Sequence, residues 1–529
     1  MHLTRRTLLK TTALAGAGAG AALALPTATA TAAPAAYAHP GLLHTAADLT
    51  RMATKVKAGS APYTAGYAKL TANRHAQAGW NPNPQQTVYR GAGSPQNYTV
   101  LYNDLHAAYQ NGLRYHVRGD EAHADTAVKI LNSWSGKLTS LQGSADRFLA
   151  AGLYGYQAAN AAELVRDHPD FELDRFRTML TEVFATVSDG FLRHHNNAVV
   201  TNYWPNWDLT ALACVLATGI FCDDRAQVAR AVDYFKNGDG LGAVRNAIPV
   251  VHEDGLAEWL EAGRDQGHTL LGIGLMGTVC EMAWNQGIDL YGYDDSRFLK
   301  GAQYVAKWCL GEPVPYTPNT RRKGAIGGWS GKETASAAAS VDPNMTRPVW
   351  AMIANHYTKR RGLDASYVTR VAAKSAPEGG GGDYGPNSGG YDQLGFGTLA
   401  FTRDRATRAQ QLAGAGAGTG AGAGADAANP APGASAAAGP GAGTNPAPGH
   451  PRTQNLAATG PTDLAPWAAA TGITALAAGF LLLRRRDRNR ELQLQTHADA
   501  QSQTYAQPQQ PQLRTESHPH RPRQRRRPR

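Results

Sequence analysis

Residues 98–134 read YTVLYNDLHAAYQNGLRYHVRGDEAHADTAVKILNSW, and this stretch decides the fold class. Leu101, Leu105, Ala108, Tyr109 and Leu113 recur at helical spacing and draw one apolar stripe along a helix over 98–116. Arg118-Gly119-Asp120 then turns the chain, with Asp120 placed as an N-cap for the next helix. Ala127, Ile130, Leu131 and Trp134 line one face of that helix. The same spacing predicts helices over 145–166, 172–191, 207–220, 225–235, 256–286, 295–310 and 347–360. Short turns between paired helices imply helical hairpins packed side by side, a mainly α fold. Only Asp383 to Arg403, with GGYDQLGFGTL at 389–399, reads as loop and strand. The sequence holds no Rossmann fingerprint, phosphate loop or kinase signature, so nucleotide chemistry has no support.

Outward from the helices, both ends of the 529-residue chain carry targeting patterns. Thr4-Arg5-Arg6-Thr7-Leu8-Leu9-Lys10, an Ala/Gly/Leu run and Ala28-Thr29-Ala30 form a basic region, an apolar region and a small-residue cleavage site. The order is that of an export signal over 1–30, cut after Ala30 or, failing that, Ala33, and its paired arginines are similar to a twin-arginine signal. An ordinary signal with two arginines is the plain alternative. At the other end, Leu456-Ala457-Ala458-Thr459-Gly460 precedes an apolar segment, 467–483, and then Arg484-Arg485-Arg486-Asp487-Arg488-Asn489-Arg490. The 17-residue apolar segment is short but within range for a membrane helix, and the arginines behind it hold the tail in the cytoplasm. The order over 456–490 resembles a sortase sorting signal. That resemblance implies cleavage between Thr459 and Gly460, transfer of Thr459 to a cell-wall peptide, and transient residence in the membrane. A plain C-terminal membrane anchor is the alternative. Residues 411–453, almost wholly Ala, Gly and Pro, read as a disordered spacer, and 491–529 as a disordered basic tail. The folded region is thus 39–404.

The formal charge of +11 belongs to the ends. Twelve arginines against four acids lie from Arg484 onward, and Arg5, Arg6 and Lys10 lie in the export signal. The folded region is left nearly neutral, without the basic footprint that nucleic-acid binding requires. Cys214, Cys222, Cys280 and Cys309 are too few for a disulfide scaffold and sit in apolar helical contexts. No Cys-x-x-Cys pair occurs, so neither a metal site nor a cofactor is expected.

Two stretches concentrate polar and aromatic residues inside otherwise apolar helices. The first runs from Asn196-Asn197 through Thr201-Asn202-Tyr203-Trp204-Pro205-Asn206-Trp207-Asp208-Leu209. The second is Glu258-Trp259-Leu260-Glu261-Ala262-Gly263-Arg264-Asp265-Gln266-Gly267-His268. On a continuous helix Glu261, Arg264 and His268 share one face, and Glu258, Glu261 and Asp265 an adjacent strip. A charged face running on into Leu270, Leu271, Ile273, Leu275 and Met276 predicts the lining of a cleft. Each residue also has a plain structural role open to it. Asn206 would serve as a helix N-cap, Arg264 with Glu261 as an ion pair, His268 as a core histidine, and Trp204 and Trp207 as core aromatics. His356 and Tyr357 read as packing residues.

His39-Pro40-Gly41-Leu42-Leu43-His44-Thr45, Asn202 to Leu209, Gly263-Arg264-Asp265-Gln266-Gly267-His268 and Asn355-His356-Tyr357 together resemble the alginate lyase-like polysaccharide lyases. The similarity spans about 39–403. It implies an incomplete (α/α) toroid with a central groove, and metal-independent β-elimination on a uronic-acid polysaccharide. In that chemistry an Asn or Arg set against the uronate carboxylate stabilises the enediolate that develops. A Tyr or His removes the C5 proton, and a Tyr or His protonates the leaving oxygen. The resemblance assigns Asn202 or Asn206 to the neutralising role, Arg264 to its support or to the carboxylate itself, and His268 and Tyr203 to base and acid. Trp204, Trp207, Glu261, Asp265 and Gln266 are the expected substrate contacts. The best-known alginate lyases follow the neutralising Asn directly with His. Here Trp207 follows Asn206, and Thr269 follows His268, which leaves alginate and glucuronan equally open as substrates. Two other readings stand beside the lyase. One is a glycoside hydrolase on an (α/α) toroid, using Glu258 or Glu261 with Asp265. The other is a non-catalytic, wall-anchored sugar-binding protein.

Overall fold

The computed structural model describes residues 36–410, apart from 92–95, 329, 382, 385–390 and 409. The export signal, spacer, sorting signal with its 467–483 segment, and basic tail therefore lie outside the described residues. Among the described residues no helix is long and apolar enough to cross a membrane.

The hairpin of the opening stretch forms as its sequence predicts. Helix α3 (Tyr98–Arg118) follows α1 (Ala46–Lys57) and α2 (Tyr63–Ala72), and ends at Gly119, whose φ of +74° is the left-handed conformation that glycine adopts without steric penalty. Asp120 then caps α4 (Glu121–Ser135) by accepting from the Ala122 N–H at 3.2 Å. Further helices follow: α5 (Asp146–Glu163), α6 (Leu173–Met179) continuing through a π-helical turn, Leu180–Ala185, into α7 (Thr186–His194), α8 (Pro205–Phe221) and α9 (Arg225–Asn237). After α10 (Val244–Ala247) come α11 (Gln266–Asn285), α12 (Tyr293–Cys309), α13 (Trp350–Asn355), α14 (Ser366–Ser375) and α15 (Gly397–Ala400).

Among the described residues α3, α5, α8, α11 and α13 follow one another round an inner layer, and α4, α6–α7, α9, α12 and α14 pack outside it. This is the (α/α) toroid of hairpins. The layering is written in the helices themselves. Every residue of α8 except Trp207 is buried, as an inner helix with neighbours on all sides requires. On the outer α9 only Gln227, Val228, Ala231 and Phe235 are buried, a single stripe. Close approach of α5 to α8 depends on Gly155, where a Cβ would stand 2.3 Å from Cys214 Sγ.

The two ends of the region meet. Arg403 reaches Asp48 on α1 at 2.5 Å and Glu281 on α11 at 3.3 Å, and Arg51 donates to the Ala400 carbonyl at 2.7 Å. The segment before α1 is fastened by Gly41 N–H to Glu163 and Leu43 N–H to Asn160, each at 2.9 Å. The buried core of the described residues runs from Leu42 to Phe401, so a fragment spanning 31–410 contains all of it.

Three details depart from the sequence reading. The 256–286 helix begins only at Gln266: Glu258 lies in extended chain, Leu260–Gly263 is a single 3₁₀ turn, and Asp265 is an extended N-cap. The described part of 383–403 holds no strand; Gly395 and Phe396, both at positive φ, turn the chain into α15. Strands instead appear elsewhere. β1 (Thr87–Arg90) pairs in parallel with β2 (Ser140–Gly143), and β3 (Asn319–Gly324) pairs antiparallel with β4 (Ser330–Ala335). All four cysteines are free thiols.

Candidate active site

The second polar stretch is organised by the turn in front of α11. The Asp265 carboxylate accepts the His268 backbone N–H at 2.8 Å, which caps the helix, and the His268 Nδ1–H at 2.7 Å. Arg264 lies on the other side of the same ring, its guanidinium 3.1 Å from His268 Nε2. Arginine only donates, so Nε2 faces it as an acceptor and the ring proton sits on Nδ1. The two partners thus select one tautomer. Burial opposes charge on Asp265, but the bonds from His268 and the charge of Arg264 outweigh it and hold its pKa down at about 2.

Behind Arg264 lies Glu261, with no exposed surface. It accepts from Arg264 at 3.0 Å, from the Asn206 side-chain amide at 2.5 Å and from the Asn206 backbone N–H at 3.2 Å. Burial pushes the Glu261 pKa up, against the pull of Arg264. All three groups facing it are donors, which suits a carboxylate. Asn206 sits in the first turn of α8 rather than at its N-cap, which is Trp204. It is 1% exposed, and its carbonyl oxygen has no partner among the described residues. The geometry makes Asn206 and Glu261 a buried support for Arg264.

The first stretch builds a second group. His195, Asn196 and Asn197 run consecutively at φ of +44°, +53° and +57°. Three successive non-glycine residues in the left-handed region cost energy that the surroundings must offset. Here the buried Asp208 holds His195 at 2.9 Å and is itself held by Tyr234 and the Gly242 N–H. The bend aims the Asn196 amide at the Tyr203 hydroxyl, 3.1 Å away, with Arg147 3.5 Å from the Asn196 oxygen. Tyr203 packs against Phe191 and Trp207, and burial pushes its pKa up, so the phenol keeps its proton.

The sequence-predicted residues therefore divide. Arg264, Asp265 and His268 are together and partly exposed, with His268 the most open at 43% of its side chain, as is Asp265. Tyr203 and Trp207 pack together, ring centroids 4.6 Å apart, and the Trp204 ring between them in sequence lies 5.9 Å from the Arg264 guanidinium. Trp204 is 8% exposed and lies under the Arg321 guanidinium at 4.4 Å, as packing. Asn202 is partly buried, and its side-chain oxygen accepts from the Gly324 N–H. Gln266 ties down the backbone of Asp342 through both ends of its amide, and Glu261 is sealed off from any polymer. Glu258 does not join the strip: it binds Thr317 and His252 on the far side of the 3₁₀ turn. Neither glutamate thus faces Asp265 as the opposed carboxylate of a hydrolase would. Arg147 and Asn196 are the participants that spacing did not reveal; the paired asparagines at 196–197 were the one sign of a left-handed bend. His356 and Tyr357 are buried and packed on Tyr291.

Comparison with known proteins gives one family match. Residues 52–315 match the alginate lyase family model. The match takes in both polar stretches and indicates a polysaccharide lyase, a carbon–oxygen lyase acting on polysaccharides. Among solved structures the chain is similar to an alginate lyase from Bacteroides ovatus, at 15% identity over 52% of this chain and 84% of that one, with a TM-score of 0.41. It is also similar to alginate lyase A1-III complexed with a tetrasaccharide, at 15% identity over 68% of this chain and 95% of that one, TM-score 0.44. Alginate lyase A1-III from Sphingomonas species A1 aligns at 17% identity over 49% and 76%, TM-score 0.35. No curated protein matches.

Proposed function

We propose that this polysaccharide lyase cleaves a uronic-acid polymer of the alginate or glucuronan type by β-elimination without a metal ion, at the outer face of the cell wall. The observation that carries the proposal is the His268 ring, protonated toward Asp265 and open as an acceptor toward Arg264. A uronate carboxylate entering the groove takes the Arg264 guanidinium as a bidentate partner. That neutralises the carboxylate, acidifies the C5 proton, and frees His268 Nε2 to receive it. The C5–H electron pair forms the C4–C5 double bond as the C4–O4 bond breaks. The Tyr203 hydroxyl, kept protonated by burial, delivers a proton to the departing O4. Arg264 supplies the positive charge that a metal ion would otherwise provide, and Asn206 and Glu261 hold it in place.

The test is ultraviolet absorbance of the 31–410 fragment incubated with alginate, glucuronan, hyaluronan and a neutral glycan. Growth of absorbance on an acidic polymer, and none on the neutral one, is the expected result. New reducing ends without absorbance would mean hydrolysis, and neither signal on any polymer would leave a binding protein.

A further inference from the structure

The β3–β4 hairpin, Asn319 to Ala335, lies beyond the residues 52–315 that match the lyase family. It carries four cations, Arg321, Arg322, Lys323 and Lys332, against the single carboxylate of Glu333, in a folded region that is otherwise nearly neutral. The register separates them onto two faces. On the inner face Arg321 opposes Glu333, pairs with it, covers Trp204, and donates to the carbonyls of Thr201 and Asn202. Lys323 shares the same carboxylate at 3.7 Å. The strand is stitched to the loop before α8 by Val199 N–H to the Gly324 carbonyl and Ile326 N–H to the Asn197 carbonyl, each at 2.9 Å. The hairpin is thus fixed beside the loop that presents Tyr203.

The outer face is different. Arg322 stands directly opposite Lys332, both are exposed, and neither enters an ion pair among the described residues. Like charges opposed across a β-ladder destabilise it. The one carboxylate of the hairpin points to the other face, where it cannot relieve them. Beside this pair the hydroxyls of Thr320 and Thr334, also exposed, face each other at 2.7 Å. Two unneutralised cations flanked by hydroxyls suit a ligand that offers carboxylates and sugar hydroxyls together, more than they suit a lipid surface.

We propose that the outer face of this hairpin is an auxiliary binding surface for acidic polysaccharide, holding the part of the chain that extends beyond the sugars being cut. The inference rests on the lyase reading for its substrate class, but its binding test does not require cleavage. The 31–410 fragment and its Arg322→Ala/Lys332→Ala variant are run by affinity electrophoresis through gels containing alginate, glucuronan or a neutral glycan. The variant should bind the acidic polymer about fivefold more weakly, and the difference should vanish at high salt. KM for long polymer should rise relative to KM for a tetrasaccharide, and Arg322→Lys/Lys332→Arg should restore both readings. Thermal unfolding should be unchanged or raised, because a repulsion has been removed. Equal retardation of variant and wild type would overturn the proposal. So would a fall in unfolding temperature that accounts for the loss, or binding to phosphatidylglycerol vesicles that outcompetes the polysaccharide. If the variant loses retardation while neither protein cleaves any polymer, the hairpin surface stands and the lyase reading falls.

Discussion

Replacing Asp265 by Asn separates the two tasks that this side chain performs. Asn is as good an N-cap as Asp, so its oxygen continues to accept the His268 backbone N–H and α11 keeps its start. The second bond cannot survive. The Asn NH₂ now faces Nδ1, which must accept rather than donate, and the ring proton moves to Nε2. There it meets the Arg264 donor, and the acceptor that would take the C5 proton is gone. Loss of a general base costs about 10²- to 10⁴-fold in rate.

The stability change is much smaller. A carboxyl lowered from 3.8 to about 2 would contribute about 2.4 kcal/mol if wholly buried. With 43% of the Asp265 side chain exposed, screening reduces this to about 1 kcal/mol. The sign follows from the depressed pKa: the contribution is present above about pH 4 and is lost as pH falls toward 2. Initial rates by ultraviolet absorbance and urea unfolding at neutral pH measure the two effects on one preparation. The expected result is a collapse of kcat with unfolding shifted by about 1 kcal/mol. If Asp265→Asn kept kcat/KM within about threefold of wild type, the tautomer argument would be refuted. If rate and stability fell together by several kcal/mol, the rate loss would follow from local unfolding and not from the tautomer.

Tyr203→Phe keeps its packing on Phe191 and Trp207 but removes the proposed acid, so kcat should fall by about 10²-fold or more, with the unfolding midpoint nearly unchanged in the same urea assay. Glu261→Gln sets an amide donor against the donors of Asn206 and Arg264 in a fully buried place. It should destabilise the fold by about 2–3 kcal/mol and raise KM, as urea unfolding and initial rates will show. Exhaustive dialysis against a chelator should leave the absorbance rate intact, since in the proposed mechanism Arg264 neutralises the carboxylate. Thiol titration of the native 31–410 fragment should find Cys222 alone, slowly because burial raises its pKa, and all four cysteines after denaturation.

Helix positions were legible because the inner and outer layers write different patterns. The unbroken apolar runs of α8 and α11 mark helices with neighbours on every side, and the single stripe of α9 marks one that faces solvent. The β3–β4 hairpin was not legible. Asn319-Thr320-Arg321-Arg322-Lys323-Gly324 has no apolar alternation, because its inner face is filled by Arg321 stretched over Trp204 and not by an aliphatic side chain. The signal lay in a partner more than a hundred residues earlier.

The site was legible in part, and for a reason that a helix does not supply. Glu261, Arg264 and His268 do meet, as helical spacing predicts, yet Glu261 is on a 3₁₀ turn and His268 on α11, with the extended Asp265 between them. A one-turn coil followed by a cap returns the chain over a distance similar to a helical repeat, so the spacing survives the break. Glu258, on the extended side, does not share in it and turns to Thr317. The break matters chemically. The Asp265 carbonyl already accepts the Thr269 N–H at 3.2 Å; within a continuous helix its N–H would be tied into the backbone ladder too, and its carboxylate would project from the surface beside that of Glu261. As an N-cap it folds back over the helix start, the one place from which a single carboxylate can reach both the backbone and the ring of the residue three positions on. The same bend that ends the buried turn therefore sets which nitrogen of His268 is free, and a substitution that restored the helix through Asp265 would remove the proposed base while improving the local secondary structure.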